Sequence, residues 1–136
     1  MENVIIYTNA IGGVSVCAPT GEIPIEDVVE KDIPPGVQSY IVSAKSLPEN
    51  DNDFFNAWEQ TNGIVSINFD KAKELTKSRL RMERAPLLLE QDVAFQRAQE
   101  AGTDTSAIVA EKTRLRNLPE LADGCLTLEE LRALQP

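Results

Sequence analysis

The chain has 136 residues, no histidine, two cysteines, 42% apolar residues and a net charge of −9. This length is that of one domain or two small ones, and it is enough to bury a hydrophobic core. Without histidine or a CxxC pair, the common zinc patterns and a histidine-activated nucleophile are excluded. The longest apolar runs are about four residues, so no membrane-spanning helix is expected, and Cys17 and Cys125 are not expected to form a disulfide.

The charge is distributed unevenly along the chain. Residues 1–68 carry two cations and ten acids, a net charge of −8, whereas residues 69–136 carry eleven cations and twelve acids, a net charge of −1. An acidic first half argues against a nucleic-acid partner, because phosphate binding needs a cationic face. The first residues lack the apolar segment of a signal peptide, so we expect synthesis in a reducing cytoplasm.

The first half has the composition and turns of short strands. Residues 4–8 are β-branched and aromatic, residues 14–17 alternate, and the Gly-rich turn 9–13 joins them into a predicted hairpin. Residues 54–58 and 64–67 predict a second hairpin, whose Asn-Gly pair favours a type I′ turn, although its register stays open. Between the hairpins we expect three segments: a short helix opened by Pro24, a third strand at 37–42 and a polar loop at 46–53.

The second half is helical in its period and composition from Phe69 onward. Pro86 predicts a kink or a break in the first long helix, which resumes over residues 87–101 and ends at Gly102. A second helix at 106–115 completes an αα-hairpin, and a capping box at Thr127 opens a last short helix. The inward set expected after Pro86 comprises Leu88, Leu89, Val93, Phe95 and Ala98.

The predicted fold is therefore α+β, in two parts. An acidic, mostly antiparallel β-rich domain with one short helix occupies residues 1–68, and a helical region occupies residues 69–136. Residues 71–84 form a basic segment with a local charge of +4, for which two interpretations stay open. The cations either form a solvated helix face or offer a docking surface to an acidic partner.

No grouping of residues predicts catalysis, so we expect neither an enzyme nor a cofactor or metal site. The acidic cluster Glu49, Asp51 and Asp53 resembles the start of a calcium loop, but Phe54 and Gln60 stand where that loop needs Gly and Glu. The Gly12-Gly13 pair is a turn, because no Lys-Ser or Lys-Thr follows it as in a phosphate-binding loop.

Several phrases carry a resemblance to known proteins. They are RAPLL (84–88), DVAFQRA (92–98), LRNLP (115–119) and LTLEEL (126–131), preceded by IIYTN (5–9), GGVSV (12–16), GEIPIE (21–26) and FFNAWE (54–59). The chain resembles small tailed-bacteriophage proteins encoded among tail and tail-fibre genes, many of them called tail or tail-fibre assembly proteins. The resemblance covers most of the chain, and its motifs are structural, so it transfers no catalytic residues.

The resemblance implies a tail-associated structural protein of the virion, near the tail fibre or baseplate, made in the host bacterial cytoplasm. Its partners would be other tail or fibre proteins, and we expect a homo-oligomer or several copies per particle, with no nucleic-acid or membrane partner. Two alternatives stay open: a non-virion chaperone of tail-fibre assembly, and a phage effector that blocks a host defence protein with its acidic half. The candidate protein-binding residues are Trp58, Phe69, Lys73, Lys77, Arg81, Arg84, Leu88 and Phe95.

The helical region has more apolar side chains than a short hairpin can hide by itself. At roughly 25 cal/mol per Å² of apolar surface, several exposed leucines would be costly. We therefore expect its apolar face to meet either the sheet, through Trp58 and Phe69, or a second protein chain. Expressed alone, residues 69–136 should aggregate, oligomerise or remain partly unfolded.

Overall fold

The computed structural model describes residues 2–136 and confirms an α+β fold, with small antiparallel sheets followed by helices. The chain divides into two compact units, Met1–Lys71 and Ala72–Pro136. The sequence places the boundary after residue 68, whereas the structure places it within the first turn of the long helix.

The first unit is built on a three-stranded antiparallel sheet. Its strands β1 (Asn3–Thr8), β2 (Val14–Cys17) and β3 (Ser39–Ser43) lie in the order β2-β1-β3, which confirms the predicted hairpin and third strand. Asn9 shapes the β1–β2 turn, because its side-chain oxygen accepts a hydrogen bond from the Gly13 amide at 3.0 Å. Gly12 has a φ of 87°, which favours glycine.

Both faces of the central strand are covered, so three consecutive side chains, Val4, Ile5 and Ile6, are buried. Helix α1 (Ile25–Asp32) follows Pro24 as predicted and packs Val28 against Ile5, with Ile33 completing this cluster. On the opposite face Val4 and Ile6 cluster with Val14 and Trp58.

The second hairpin comprises β4 (Trp58–Thr61) and β5 (Ile64–Ile67). Asn62 and Gly63 have φ values of 52° and 83°, which confirms the predicted type I′ turn. The strand predicted at 54–58 was wrong, since residues 49–57 form 3₁₀ turns. Another 3₁₀ turn, residues 44–46, ends at the first residue of the predicted polar loop. Phe54, where the backbone kinks, and Ala57 are both buried.

Helix α2 (Phe69–Ala101) runs continuously through Pro86, so the break that the sequence allowed there does not occur. Proline removes one amide donor from the helix, but Pro86 and Met82 are both exposed, and water can hydrate the Met82 carbonyl that loses its partner. The buried residues of α2 are Ala72, Thr76 and Leu80, which share one face at intervals of four.

Gly102 ends α2 with a φ of 70°, as expected. The Thr103 amide donates to the Ala98 carbonyl at 2.9 Å and the Gly102 amide to the Gln99 carbonyl at 3.2 Å, the two bonds of a Schellman motif. The chain then turns into α3 (Ser106–Asn117). The part of α2 beyond residue 80 together with α3 is called the helical hairpin below.

After α3 the chain forms 3₁₀ turns over residues 118–124 and then the short helix α4 (Leu128–Ala133). The predicted capping box is confirmed, because the Glu130 amide donates to the Thr127 hydroxyl at 3.1 Å. The Glu130 carboxylate in turn accepts a hydrogen bond from the Leu126 amide at 2.7 Å.

A candidate protein-interaction surface on the helical hairpin

Two arginines of the basic segment bind backbone carbonyls at the ends of other helices. Arg84 donates through Nη1 to the carbonyls of Leu115 at 3.1 Å and Arg116 at 2.6 Å, near the end of α3. Arg79 donates through Nη2 to two carbonyls at the end of α4, at 3.1 and 2.9 Å. The last carbonyls of a helix have few backbone partners and carry partial negative charge, so a guanidinium there is stabilising. Arg84 therefore supports the fold of this unit.

Lys77 is engaged within the second unit as well. Its ammonium lies 2.8 Å from an Asp123 carboxylate oxygen and 3.4 Å from one of Glu74, and its side chain is 16% exposed. The hydrogen bond to Asp123 raises the pKa of Lys77, and the same bond lowers the pKa of Asp123. The charge of Lys73, which is half-buried, also lowers the pKa of Asp123. Arg81, the remaining cationic candidate, is exposed.

The aromatic candidates differ in how far they are buried. Trp58 is 2% exposed, and its indole Nε1 donates to the Asp51 carbonyl at 3.3 Å. Its ring centroid lies 4.9 Å from that of Phe55. Trp58 therefore belongs to the core of the first unit, and Phe69, the first residue of α2, is half-buried.

Leu88 and Phe95 are half-buried on the side of α2 that faces α3. The Lys112 ammonium of α3 lies 5.1 Å from the centroid of the Phe95 ring, within the range of a cation–π contact. It also lies 2.7 Å from the Asp92 carboxylate. Together with Arg84, these contacts define the inner face of the hairpin.

The outer face of α2 carries apolar side chains that the sequence analysis did not assign to a surface. Met82, Pro86, Leu89 and Val93 lie at i, i+4, i+7 and i+11, the spacing of one helix face, and are called the outer stripe below. Met82 is 77%, Leu89 65% and Val93 41% exposed. Placing Leu89 and Val93 inward was therefore wrong, because α2 is apolar on more than one side and α3 covers only the side of Leu88 and Phe95.

The outer stripe borders a shallow groove lined by Leu89, Glu90, Val93, Ala94 and Arg97. The structure describes every residue between 81 and 114, and none of them is buried. Two helices packed side by side have no third element to enclose their apolar side chains. The spacing of the outer stripe is visible in the sequence, but the kink or break expected at Pro86 separated Met82 from Leu89 and Val93.

Within residues 2–136 the structure contains no group of three acidic or cysteine side chains that could hold a metal ion. No helix in this range is long and apolar enough to cross a membrane. Cys17 and Cys125 are both free thiols, and burial raises the pKa of the Cys125 thiol.

The fold and this surface define the chain as a two-unit α+β protein with an exposed apolar helix face. Neither a protein-family model, nor a curated protein, nor a solved structure matches it.

Proposed function

We propose that the chain is a tail-associated structural protein of a bacteriophage, near the tail fibre or baseplate, and that it acts through protein–protein contacts. The phage origin rests on the resemblance of the phrases quoted above, from IIYTN to LTLEEL. The contact function is supported by one observation in particular, the outer stripe of α2. Met82, Leu89 and Val93 point large apolar side chains into solvent along one continuous face.

This surface differs from the scattered apolar residues that any protein exposes. Four apolar positions follow one another over three turns of a helix, and charged residues flank them. A contiguous apolar patch with a polar rim is typical of a protein–protein contact. At roughly 25 cal/mol per Å², covering it would contribute favourably to binding. The stripe replaces the earlier candidates Trp58, Lys77 and Arg84, whose side chains are engaged within the chain.

Quantitative mass spectrometry of purified phage particles tests the proposal. We expect the protein in mature particles at a fixed ratio to the other tail proteins. If it is absent from particles but co-purifies with unassembled tail fibre, the alternative of an assembly chaperone replaces the structural role. A matched phage with Leu89→Asp and Val93→Asp should lose the protein from its particles, while Ile64→Asp, at an exposed apolar residue of the first unit, should not.

A further inference from the structure

The turn between β4 and β5 contains a chemically labile pair of residues. Asn62 is exposed, and among the asparagines of the chain it alone is followed by glycine. Asparagine side chains are thermolabile. The backbone nitrogen of the next residue can attack the side-chain carbonyl carbon, and a glycine, which has no Cβ, leaves that nitrogen unhindered. Asn62 is therefore the asparagine that we expect to deamidate first in the unfolded chain.

The folded turn places the attacking nitrogen out of reach. Ring closure needs a ψ of about −120° at Asn62, the value found at the first central residue of type II′ turns. The type I′ turn, in which Asn62 and Gly63 have φ values of 52° and 83°, instead sets a ψ of about +30° there. The Gly63 nitrogen then lies nearly opposite Cβ of Asn62 about the Cα–C bond. Deamidation therefore requires the turn to open.

The side chain of Gln60 holds the Gly63 amide in the unreactive arrangement. The Gly63 amide donates to Oε1 of Gln60 at 3.0 Å. Nε2 of the same side chain donates to the Thr8 hydroxyl at the end of β1 at 2.9 Å, and Gln60 is half-buried. Rotating the peptide unit between residues 62 and 63 towards the reactive geometry turns the Gly63 N–H away from Gln60. The hydrogen bond to Gly63 therefore opposes the rotation that deamidation needs.

We propose that Asn62 is a site of spontaneous deamidation whose rate is set by opening of the β4–β5 turn, and that Gln60 is the positioning residue that keeps this turn closed. In the open turn the Gly63 nitrogen loses its proton to solvent and bonds to Cγ of Asn62. The bond from Cγ to Nδ2 breaks, and Nδ2 leaves as ammonia after taking up a proton from water. A succinimide ring remains. This site is independent of the proposed contact function.

Water opens the succinimide in two ways, and the two products differ in their effect on the hairpin. Breaking the bond from Cγ to the Gly63 nitrogen gives aspartate, and Asp-Gly favours a type I′ turn as Asn-Gly does. Breaking the bond from the backbone carbonyl carbon gives isoaspartate, which adds a methylene to the main chain. Such an insertion disturbs the pairing of β4 with β5, in which Trp58 lies opposite Ile67. We therefore expect the isoaspartate form to lose the packing of Trp58.

The first test measures the rate of deamidation in the full-length protein at mildly alkaline pH, with peptide mass spectrometry to locate the change. In the folded wild-type chain Asn62 should react at least about tenfold more slowly than in guanidinium chloride, because only the open turn reacts. Gln60→Ala should accelerate the reaction in the folded chain roughly fivefold, the effect of one lost hydrogen bond. In guanidinium chloride the two chains should react at the same rate.

Two matched variants separate the hydrogen bond from a general weakening of the hairpin. Gln60→Glu keeps an oxygen that can accept from the Gly63 amide, and the Thr8 hydroxyl can donate to it, so the rate should return to that of the wild-type chain. Thr61→Val changes the exposed neighbour in β4 and keeps a β-branched side chain, so its rate should also match the wild type. Asn52, which is exposed and followed by aspartate, is an internal reference within the same samples.

The second test compares the two products after chromatographic separation. Trp58 is the only tryptophan of the chain, so its fluorescence reports on the packing of β4. The Asn62→Asp variant should have the fluorescence of the wild-type protein. The isoaspartate form should show a red-shifted emission, because Trp58 becomes accessible to water.

Three results would overturn the proposal. The first is an Asn62 that deamidates as fast in the folded chain as in guanidinium chloride. The second is a folded Gln60→Ala variant that reacts no faster than the wild type, since the hydrogen bond would then not protect the turn. The third is a reaction at Asn52 that precedes the reaction at Asn62 in the unfolded chain.

Discussion

Replacing Arg84 by methionine tests whether this cation stabilises the helical hairpin or serves a partner. Methionine keeps most of the length and apolar stem of arginine and removes its hydrogen bonds to the carbonyls of Leu115 and Arg116. A hydrogen bond to a charged group contributes about 1.5 to 3 kcal/mol, and a cation at a helix C-terminus contributes about 0.3 to 1 kcal/mol. Because this site is only partly shielded from water, we expect a total loss of about 2 kcal/mol.

The loss should be local to the end of α3, where the two carbonyls lie. Native-state hydrogen exchange should show protection of the amides at 110–117 falling about 30-fold, since a factor of ten corresponds to about 1.4 kcal/mol. Urea unfolding should give a lower midpoint with an unchanged slope.

Arg81→Met is the matched control, because Arg81 lies on the same helix three residues earlier and is exposed. Its effect on the free energy of unfolding should be within about 0.5 kcal/mol. Equal protection of α3 in the two variants would refute the structural role of Arg84 and return it to the set of candidate docking residues.

Two further predictions concern the second hairpin and the Lys77 ion pair. Gly63→Ala should destabilise the protein by about 2 kcal/mol or more, because the residue has a positive φ and an added Cβ would lie 3.2 Å from Tyr40 Cβ. Gly36 has a similar φ, and a Cβ added there would meet no atom within 4 Å, so Gly36→Ala measures the backbone cost alone. If both variants lose the same stability in thermal unfolding, the clash with Tyr40 is contradicted. The lowered pKa of Asp123 predicts stability that is present above its unfolded value of 3.8 and is lost as the pH falls through the folded value. In Lys77→Met, the free energy of unfolding measured in urea should therefore fall less steeply with decreasing pH below about pH 5. The same pH dependence as in the wild-type protein would count against the ion pair.

Local signals predicted the turns and caps well. Asn62-Gly63, Gly102 and Thr127 each specify a backbone conformation through their own chemistry, with little help from distant residues. The 3₁₀ turns over residues 49–57 were missed because Phe54 and Trp58 resemble the start of a strand, and only tertiary packing places them.

The surroundings of the candidate binding residues depend on contacts that are distant in the sequence. Lys77 and Arg84 belong to the basic segment that the sequence singled out, but Asp123, which pairs with Lys77, and the Leu115 carbonyl, which pairs with Arg84, lie more than 30 positions away along the chain. No local pattern reveals such partners. Leu89 and Val93 were assigned to the inner face because a helix that is apolar on two sides gives no indication of which side its neighbour covers.

The exposure of the outer stripe has a consequence for how this protein can change over evolutionary time. Because Met82, Leu89 and Val93 enclose no core, polar residues at these positions should leave the chain as foldable as before. Selection for stability alone would let the apolar character of these positions drift toward that of ordinary surface residues. A collection of natural variants that retains large apolar side chains at these positions would therefore record selection by whatever the stripe binds.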